Sequence, residues 1–330
     1  MGVIPSGISV QEIYRRYREN QIVVNRKYQR KLVWTENEKI KLIDSIIKGY
    51  PIPLILFAEY TDTDGKTKYE ILDGLQRLNA IVGFIENAFP WGEKYFDIMQ
   101  LARAKQAEDE KEFVGYHGDA LLEKESCANF LDYQLAVTSY KSQEEETTFE
   151  IFGRINSGGR QLSNQERRQA GVICDFTDLI KTIASDIRGD STSETVLLAD
   201  MPQISIGSNR INDRYGLKAE NIFWVRQGIL AVQDLRNSDD EEVVADIAIS
   251  ILQDKPFERS KERLDRIYDT SSEAYEKISI ALIRYTPKKL QEDIQNTFAI
   301  IKNCVESVSN EPNCLRNVVT PNRRTPIKNA

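Results

Sequence analysis

Four residues of the stretch ILDGLQRLNAI (71–81) are of types that handle anions: Asp73, Gly74, Gln76 and Arg77, all within five positions. Extended-favouring residues run into Asp73–Gly74. The chain then leaves as an amphipathic helix with Leu72, Leu75, Leu78 and Ile81 at core spacing. The first N–H groups of a helix lack internal partners and carry the positive end of its dipole. A strand-to-helix turn with glycine at its apex is therefore an anion site that a phosphate can approach closely. Arg77, in the first helical turn, can lay its planar fork on phosphate oxygens. Asp73 would hold Mg²⁺, orient a water or fix an arginine, and Gln76 would position a water or a base edge. The same residues also fit a plain helix start in which Asp73 is the cap. Taken alone, the stretch favours the cap.

Two further segments carry chemistry. NRKYQRKLVW (25–34) sets cations around Tyr28, Gln29 and Trp34 just after a short apolar strand. Arg26 and Arg30 could form a second cationic arm, with an aromatic ring as stacking face for a base. The alternative makes Tyr28 and Trp34 core residues and leaves the charges to solvent. FGRINSGGRQLS (152–163) ends a helix with Arg154 and Asn156 and reverses at Gly158–Gly159, which by itself is an ordinary helix stop.

Together, RKYQRKLVW, ILDGLQRLNAI and FGRINSGGRQLSNQERRQA resemble the N-terminal domain of GmrSD-like type IV restriction proteins, over roughly residues 10–175. The resemblance implies a ParB/sulfiredoxin-like fold that binds a nucleoside triphosphate (GTP, ATP or CTP) with Mg²⁺ and hydrolyses it to control a nuclease. Asp73, Gly74, Gln76 and Arg77 match the family's Asp-Gly-Gln-Gln-Arg turn, with Leu75 in place of the first glutamine. Tyr28-Gln29-Arg30 matches the upstream motif; Arg154, Asn156 and Gly158–Gly159 match the downstream one. The implied catalytic residues are Asp73, Gln76 and Arg77, with Asp73 as the metal ligand. The implied nucleotide-binding residues are Arg26, Tyr28, Gln29, Arg30, Gly74, Arg154 and Asn156. Expected partners are the triphosphate, DNA, and a separate nuclease or effector subunit, with no membrane. The alternative is a non-catalytic ParB-like module, binding DNA or a partner, that has lost turnover.

Composition narrows the chemistry. The single histidine, His117, rules out an HNH nuclease centre and any zinc site built on several imidazoles. Cys127, Cys174, Cys304 and Cys314 lie far apart with no CxxC pair, which argues against a disulfide framework. No apolar run approaches a membrane span, and the N-terminus has no basic start followed by an apolar core, so a cytoplasmic location is expected. The net charge is −7, yet residues 1–50 carry ten Lys or Arg against five Asp or Glu. A basic segment in an acidic chain suits a local anionic ligand rather than a broad duplex surface.

The elements that must position these residues follow from local pattern. Ser9 with Glu12 and Thr35 with Glu38 stand at capping-box spacing ahead of amphipathic runs. IVV (22–24) is a short strand. Pro51 and Pro53 hold the approach to LILFAEY extended, and Asp64–Gly65 turns it into TKYEIL as a hairpin. Residues 87–128 look irregular with helical patches. NFLDYQLAVTSY (129–140) has strand alternation, and Ser142 with Glu145 and Ser163 with Glu166 open two more helices. Beyond about residue 215 every strong pattern is helical. The expected fold is α+β: a small mixed sheet in a nucleotide-binding domain over 1–200, then an all-helical domain over 201–330.

Overall fold

The computed structural model describes residues 3–26, 29, 31–141, 151, 163–169, 174–190, 195–201, 203–205 and 216–320. The fold is α+β, with a mixed six-stranded sheet and many helices. Two compact units interleave along the chain where composition suggested one cut near residue 200. One comprises Met1–Asn156 with Ser193–Gly216, the other Ser157–Thr192 with Leu217–Ala330.

The first unit is built on strands β1 (Val3–Ser9), β2 (Ile22–Asn25), β3 (Ile55–Thr61), β4 (Thr67–Asp73), β5 (Gln134–Lys141) and β6 (Thr195–Leu197), in the order β1-β5-β3-β4-β2-β6. Pairing alternates: β1–β5, β3–β4 and β2–β6 are antiparallel, while β3–β5 and β2–β4 are parallel. Helices α1 (Val10–Arg18), α2 (Glu36–Ile47), α3 (Leu75–Ile85), α4 (Ala102–Asp109) and α5 (Lys124–Asp132) supply the apolar stripes that cover it. Ile13, Tyr14, Ile43, Phe57, Ile71, Leu78 and Phe84 are fully buried in this core.

Local chemistry explains the boundaries. Thr35 and Glu38 form the complete capping box: Glu38 N–H donates to Thr35 Oγ1 at 3.3 Å, and Thr35 N–H donates to Glu38 Oε2 at 2.8 Å. At α1 only half the expected box forms. Ser9 Oγ accepts from Glu12 N–H at 3.2 Å, but the Glu12 carboxylate is taken by Arg15 and Arg16 at 2.6 and 3.0 Å. Those guanidiniums hold its pKa down at about 2. The β3–β4 hairpin turns where expected, with Gly65 at φ +77° and Asp62 Oδ1 accepting from the Asp64 and Lys66 N–H groups. One strand begins later than its alternation predicts: Asn129–Asp132 end α5, because Phe130 packs edge-on to Phe84, 5.2 Å between ring centroids.

In the second unit, the described elements from residue 219 on are helices and turns. Helices α6 (Asn164–Gln169), α7 (Asp175–Arg188) and α10 (Asp239–Gln253) meet through ion pairs; α8 (Phe223–Arg226) and α9 (Val232–Arg236) precede α10. The acidic first turn of α10 suits its helix dipole. Buried Arg188 of α7 pairs with Asp240 and Glu241, and Arg168 of α6 pairs with Glu242 at 2.8 Å and with Asp265 at 2.7 Å. Asp265 lies in α11 (Lys261–Tyr268), followed by α12 (Glu273–Tyr285), α13 (Pro287–Val308) and α14 (Cys314–Val319). Among the described residues, no helix is long and apolar enough to cross a membrane.

Glu86, just past the end of α3, accepts from Tyr14 Oη at 3.3 Å, and burial raises its pKa from 4.5 to about 7. The folded chain therefore keeps this proton where the unfolded chain has released it. Its stabilising share is complete below about pH 4.5 and disappears as pH rises to about 7, by about 3 kcal/mol. Burial also raises Asp246 of α10 to about 7, which adds a slope of the same sign. Urea unfolding from pH 5 to 8 is expected to show Glu86→Gln with a flatter decline than the parent chain. Parallel pH profiles would show that Glu86 ionises normally.

Candidate functional site

The site begins where β4 breaks register. Leu56 pairs with Asp73 while Phe57 pairs with Ile71, so Leu72 is the extra residue of a bulge. Directly opposed residues share a sheet face, so the bulge aligns Asp73 with Leu56. Leu56, Ala58 and Leu72 form a small apolar cluster separate from the main core, and Ile151 packs on it. Ile151 immediately precedes the FGRINSGG motif. Arg154, Asn156 and Gly158–Gly159 of that motif lie outside the described residues.

Gly74 then makes the turn. Its φ of +103° is left-handed, and a Cβ there would stand 3.0 Å from Ile55 Cγ1. Glycine is required by backbone conformation and by a buried isoleucine, which is a nearer constraint than the approach of a ligand. Gly74 is itself the N-cap of α3, with no side-chain cap. Asp73 therefore does not cap the helix. Its Oδ2 accepts from Arg77 Nη2 at 2.9 Å, and the same Nη2 donates to Leu54 O at 2.9 Å. The Arg77 side chain is mostly buried, and its Nε has no hydrogen-bond partner, whereas Asp73 is 37% exposed. The first turn of α3 contains no acidic residue. The Arg77 guanidinium is thus held by one carboxylate and one carbonyl, on a first helical turn that has no acid of its own.

Two glutamines fasten the upstream motif to this turn. Gln76 Oε1 accepts from the N–H groups of Val33 and Trp34 at 3.0 and 3.1 Å, and its Nε2 donates to Lys31 O at 2.8 Å. Gln29 Nε2 donates to Ile71 O at 2.8 Å and Leu72 O at 3.0 Å, the carbonyls at the bulge. Both side chains are buried. Gln76 therefore holds backbone, and its amide carbonyl does not face outward for a water. Arg26 directly follows β2, is half-buried and has a partner, so it is not a free cation. Tyr28 and Arg30 lie outside the described residues. The structure brings Gln29, Asp73, Gly74, Gln76 and Arg77 together at one junction.

Leu54 and Ile55 are the participants that the motifs did not single out. The prolines at 51 and 53 marked an extended approach, but nothing local announces that a carbonyl there meets Arg77. Leu75, which stands where the family usually has glutamine, is 4% exposed and packs in the main core. His117 is an exposed loop residue at 2.7 Å from Glu108, away from these motifs in the chain. Among the described residues, no group of three or more His, Cys, Asp or Glu could hold a metal ion, and the cysteines are free.

Gly74→Ala combines a positive φ with a 3.0 Å contact to buried Ile55. It is expected to lower unfolding free energy by roughly 2 kcal/mol. Chemical denaturation measures this directly, and a change under about 0.5 kcal/mol would mean that the turn relaxes without cost.

No curated protein matches the sequence. Residues 10–173 match the family described as GmrSD restriction endonuclease, N-terminal domain, a span that contains all three motifs. That family suggests a component of a phage-restriction system. Residues 10–173 belong to the GmrSD-like N-terminal domain family.

Proposed function

We propose that the β4–α3 turn is the phosphate-facing edge of a nucleotide site, in a restriction-system component that binds and hydrolyses a nucleoside triphosphate. The observation that carries this reading is Arg77: a largely buried guanidinium with an unpartnered Nε, in the first turn of a helix that has no acid there. Phosphate oxygens match that fork and that dipole. A ParB/sulfiredoxin-like fold, and a cytoplasmic setting, are parts of the same proposal; the mixed sheet of the first unit supports the first of these.

Roles follow from geometry. Arg77 binds phosphate, and Asp73 keeps it oriented while remaining exposed enough to meet a ligand. A single carboxylate fits Mg²⁺ that arrives with its triphosphate, since that ion takes one or two carboxylates and fills its shell with phosphate oxygens and water. Bound there, it would neutralise phosphate charge. In hydrolysis a water attacks the terminal phosphorus, the bond to the leaving diphosphate oxygen breaks, and Asp73 orients the water and receives its proton. Arg26, Tyr28, Arg30, Arg154 and Asn156 are proposed to complete the nucleotide contacts. DNA and a separate nuclease or effector are the proposed downstream partners.

A second reading, a DNA- or partner-binding module without turnover, is favoured by one observation. The Gln76 amide is engaged with backbone, so Asp73 alone remains to orient a water. Titration of the full chain with fluorescent GTP, ATP and CTP, with and without Mg²⁺, decides binding: at least one should bind, and Arg77→Ala should weaken it tenfold or more, about 1.4 kcal/mol. Failure of all three to bind sinks the nucleotide site. Phosphate release that Asp73→Ala abolishes would exclude the second reading, and binding without release would establish it.

A further inference from the structure

Gln29 and Gln76 sit in different motifs, 47 residues apart in the chain, yet each bonds the backbone of the other's motif. Gln29, upstream, gives its amide donor to two carbonyls at the end of β4. Gln76, downstream, accepts from two successive N–H groups of the upstream segment and donates to a third residue's carbonyl. Neither amide is a surface group: Gln29 is 9% and Gln76 7% exposed.

The positions have a physical reason. Strand β2 pairs with β4 only through Ile22 and Val23, opposite Tyr69 and Glu70. Among the described residues the β2–β4 ladder stops at that point, and the buried carbonyls of Ile71 and Leu72 require donors. Gln29 supplies one. Residues 31–34 are buried or half-buried and belong to no helix or ladder beyond an isolated bridge at Leu32. Their polar groups need partners too, and Gln76 offers both an acceptor and a donor, as a short strand edge would.

We propose that Gln29 and Gln76 form a reciprocal amide lock that fixes the gap between the basic segment and the Arg77 turn, making both glutamines positioning residues that never touch the ligand. The inference rests on the nucleotide reading for what the gap serves, while the lock itself is a property of the free protein. A ligand that spans the Arg77 turn and the Val33–Trp34 segment binds tightly only if the two stand at the right separation. A released segment would leave Arg77 intact and that separation lost.

The test pairs amide hydrogen exchange at Val33 and Trp34 with triphosphate binding, using the full chain and labelled GTP, ATP and CTP. In Gln76→Ala, exchange at both amides should speed up and affinity should fall about tenfold. Gln76→Glu keeps the acceptor for both N–H groups and loses only the donor to Lys31. Its exchange should stay slow, with affinity between the parent and the alanine variant. Adding Gln29→Ala to Gln76→Ala should cost little more than the larger single loss, since both open the same gap; a multiplied loss of about a hundredfold would mean two independent ligand contacts. Weakened binding with unchanged exchange would place Gln76 on the ligand and overturn the lock. Faster exchange with unchanged affinity would reduce it to a purely structural device. If the parent chain binds no triphosphate, the nucleotide reading falls and the positioning role with it, while the exchange data still decide whether the lock exists. The Glu variant keeps the test open if the alanine variant does not fold.

Discussion

Buried backbone must find hydrogen-bond partners, and residues 31–34 are buried or half-buried without belonging to any regular element beyond one isolated bridge. That constraint organises the junction. Gln76 can reach the segment only if α3 starts where it does, and α3 starts there because Gly74 turns left-handed over Ile55. Gln29 can reach Ile71 and Leu72 because, among the described residues, the ladder of β2 to β4 ends at Val23. The turn, the bulge and the two amides are one solution to one problem. Each of these side-chain bonds is neutral and ordinary, about 1 kcal/mol net when made. Losing one costs more, because its buried partner is then left unpaired.

The elements legible in the sequence were those fixed by neighbours within four residues. The Thr35–Glu38 capping box, the Asp64–Gly65 hairpin and the apolar spacing of α3 are local patterns, and the structure reproduces them. Most of the residues that local pattern misplaces depend on distant chain. Asp73 looked like a cap by composition; the bulge opposite Leu56 and Arg77 four residues on engage it elsewhere. The amides of Gln29 and Gln76 act over 42 to 45 residues, which no periodicity displays. Glu12 shows the limit on the local scale as well, since two arginines on its own helix outcompete the cap for its carboxylate. For the two amides and for the bulge that sets Asp73 opposite Leu56, three-dimensional proximity is the missing information.

Domain division illustrates the same limit. The helix patterns that dominate the C-terminal part suggest a single cut near residue 200. Compactness instead assigns α6 and α7 to the helical unit and β6 to the sheet unit. The reason for α6 and α7 is electrostatic as much as apolar. Arg168 and Arg188 answer the acidic first turn of α10, where four consecutive carboxylates would otherwise repel one another. A buried arginine parted from its carboxylates would be left as an uncompensated charge, which ties α7 to α10. For β6, the reason is its ladder to β2, with Val23 opposite Leu197.

The departure at Leu75 takes on a different meaning once the turn is seen in three dimensions. A leucine in place of an amide within a turn of catalytic character suggests lost chemistry. In this fold the side chain at 75 points into the main core at 4% exposure, beside residues that would gain nothing from a polar group. Leucine there removes a buried polar burden and strengthens α3 packing against the sheet. On the nucleotide reading, the ligand-facing side of the turn is set by Asp73 and Arg77, and its spacing by Gly74 and Gln76, all of which this sequence retains. Under the nucleotide reading, the departure therefore bears on how rigidly the turn is held. On that reading turnover depends instead on whether Asp73 can serve a water and Mg²⁺ while still holding Arg77. One carboxylate with three tasks is then the point at which binding and hydrolysis separate.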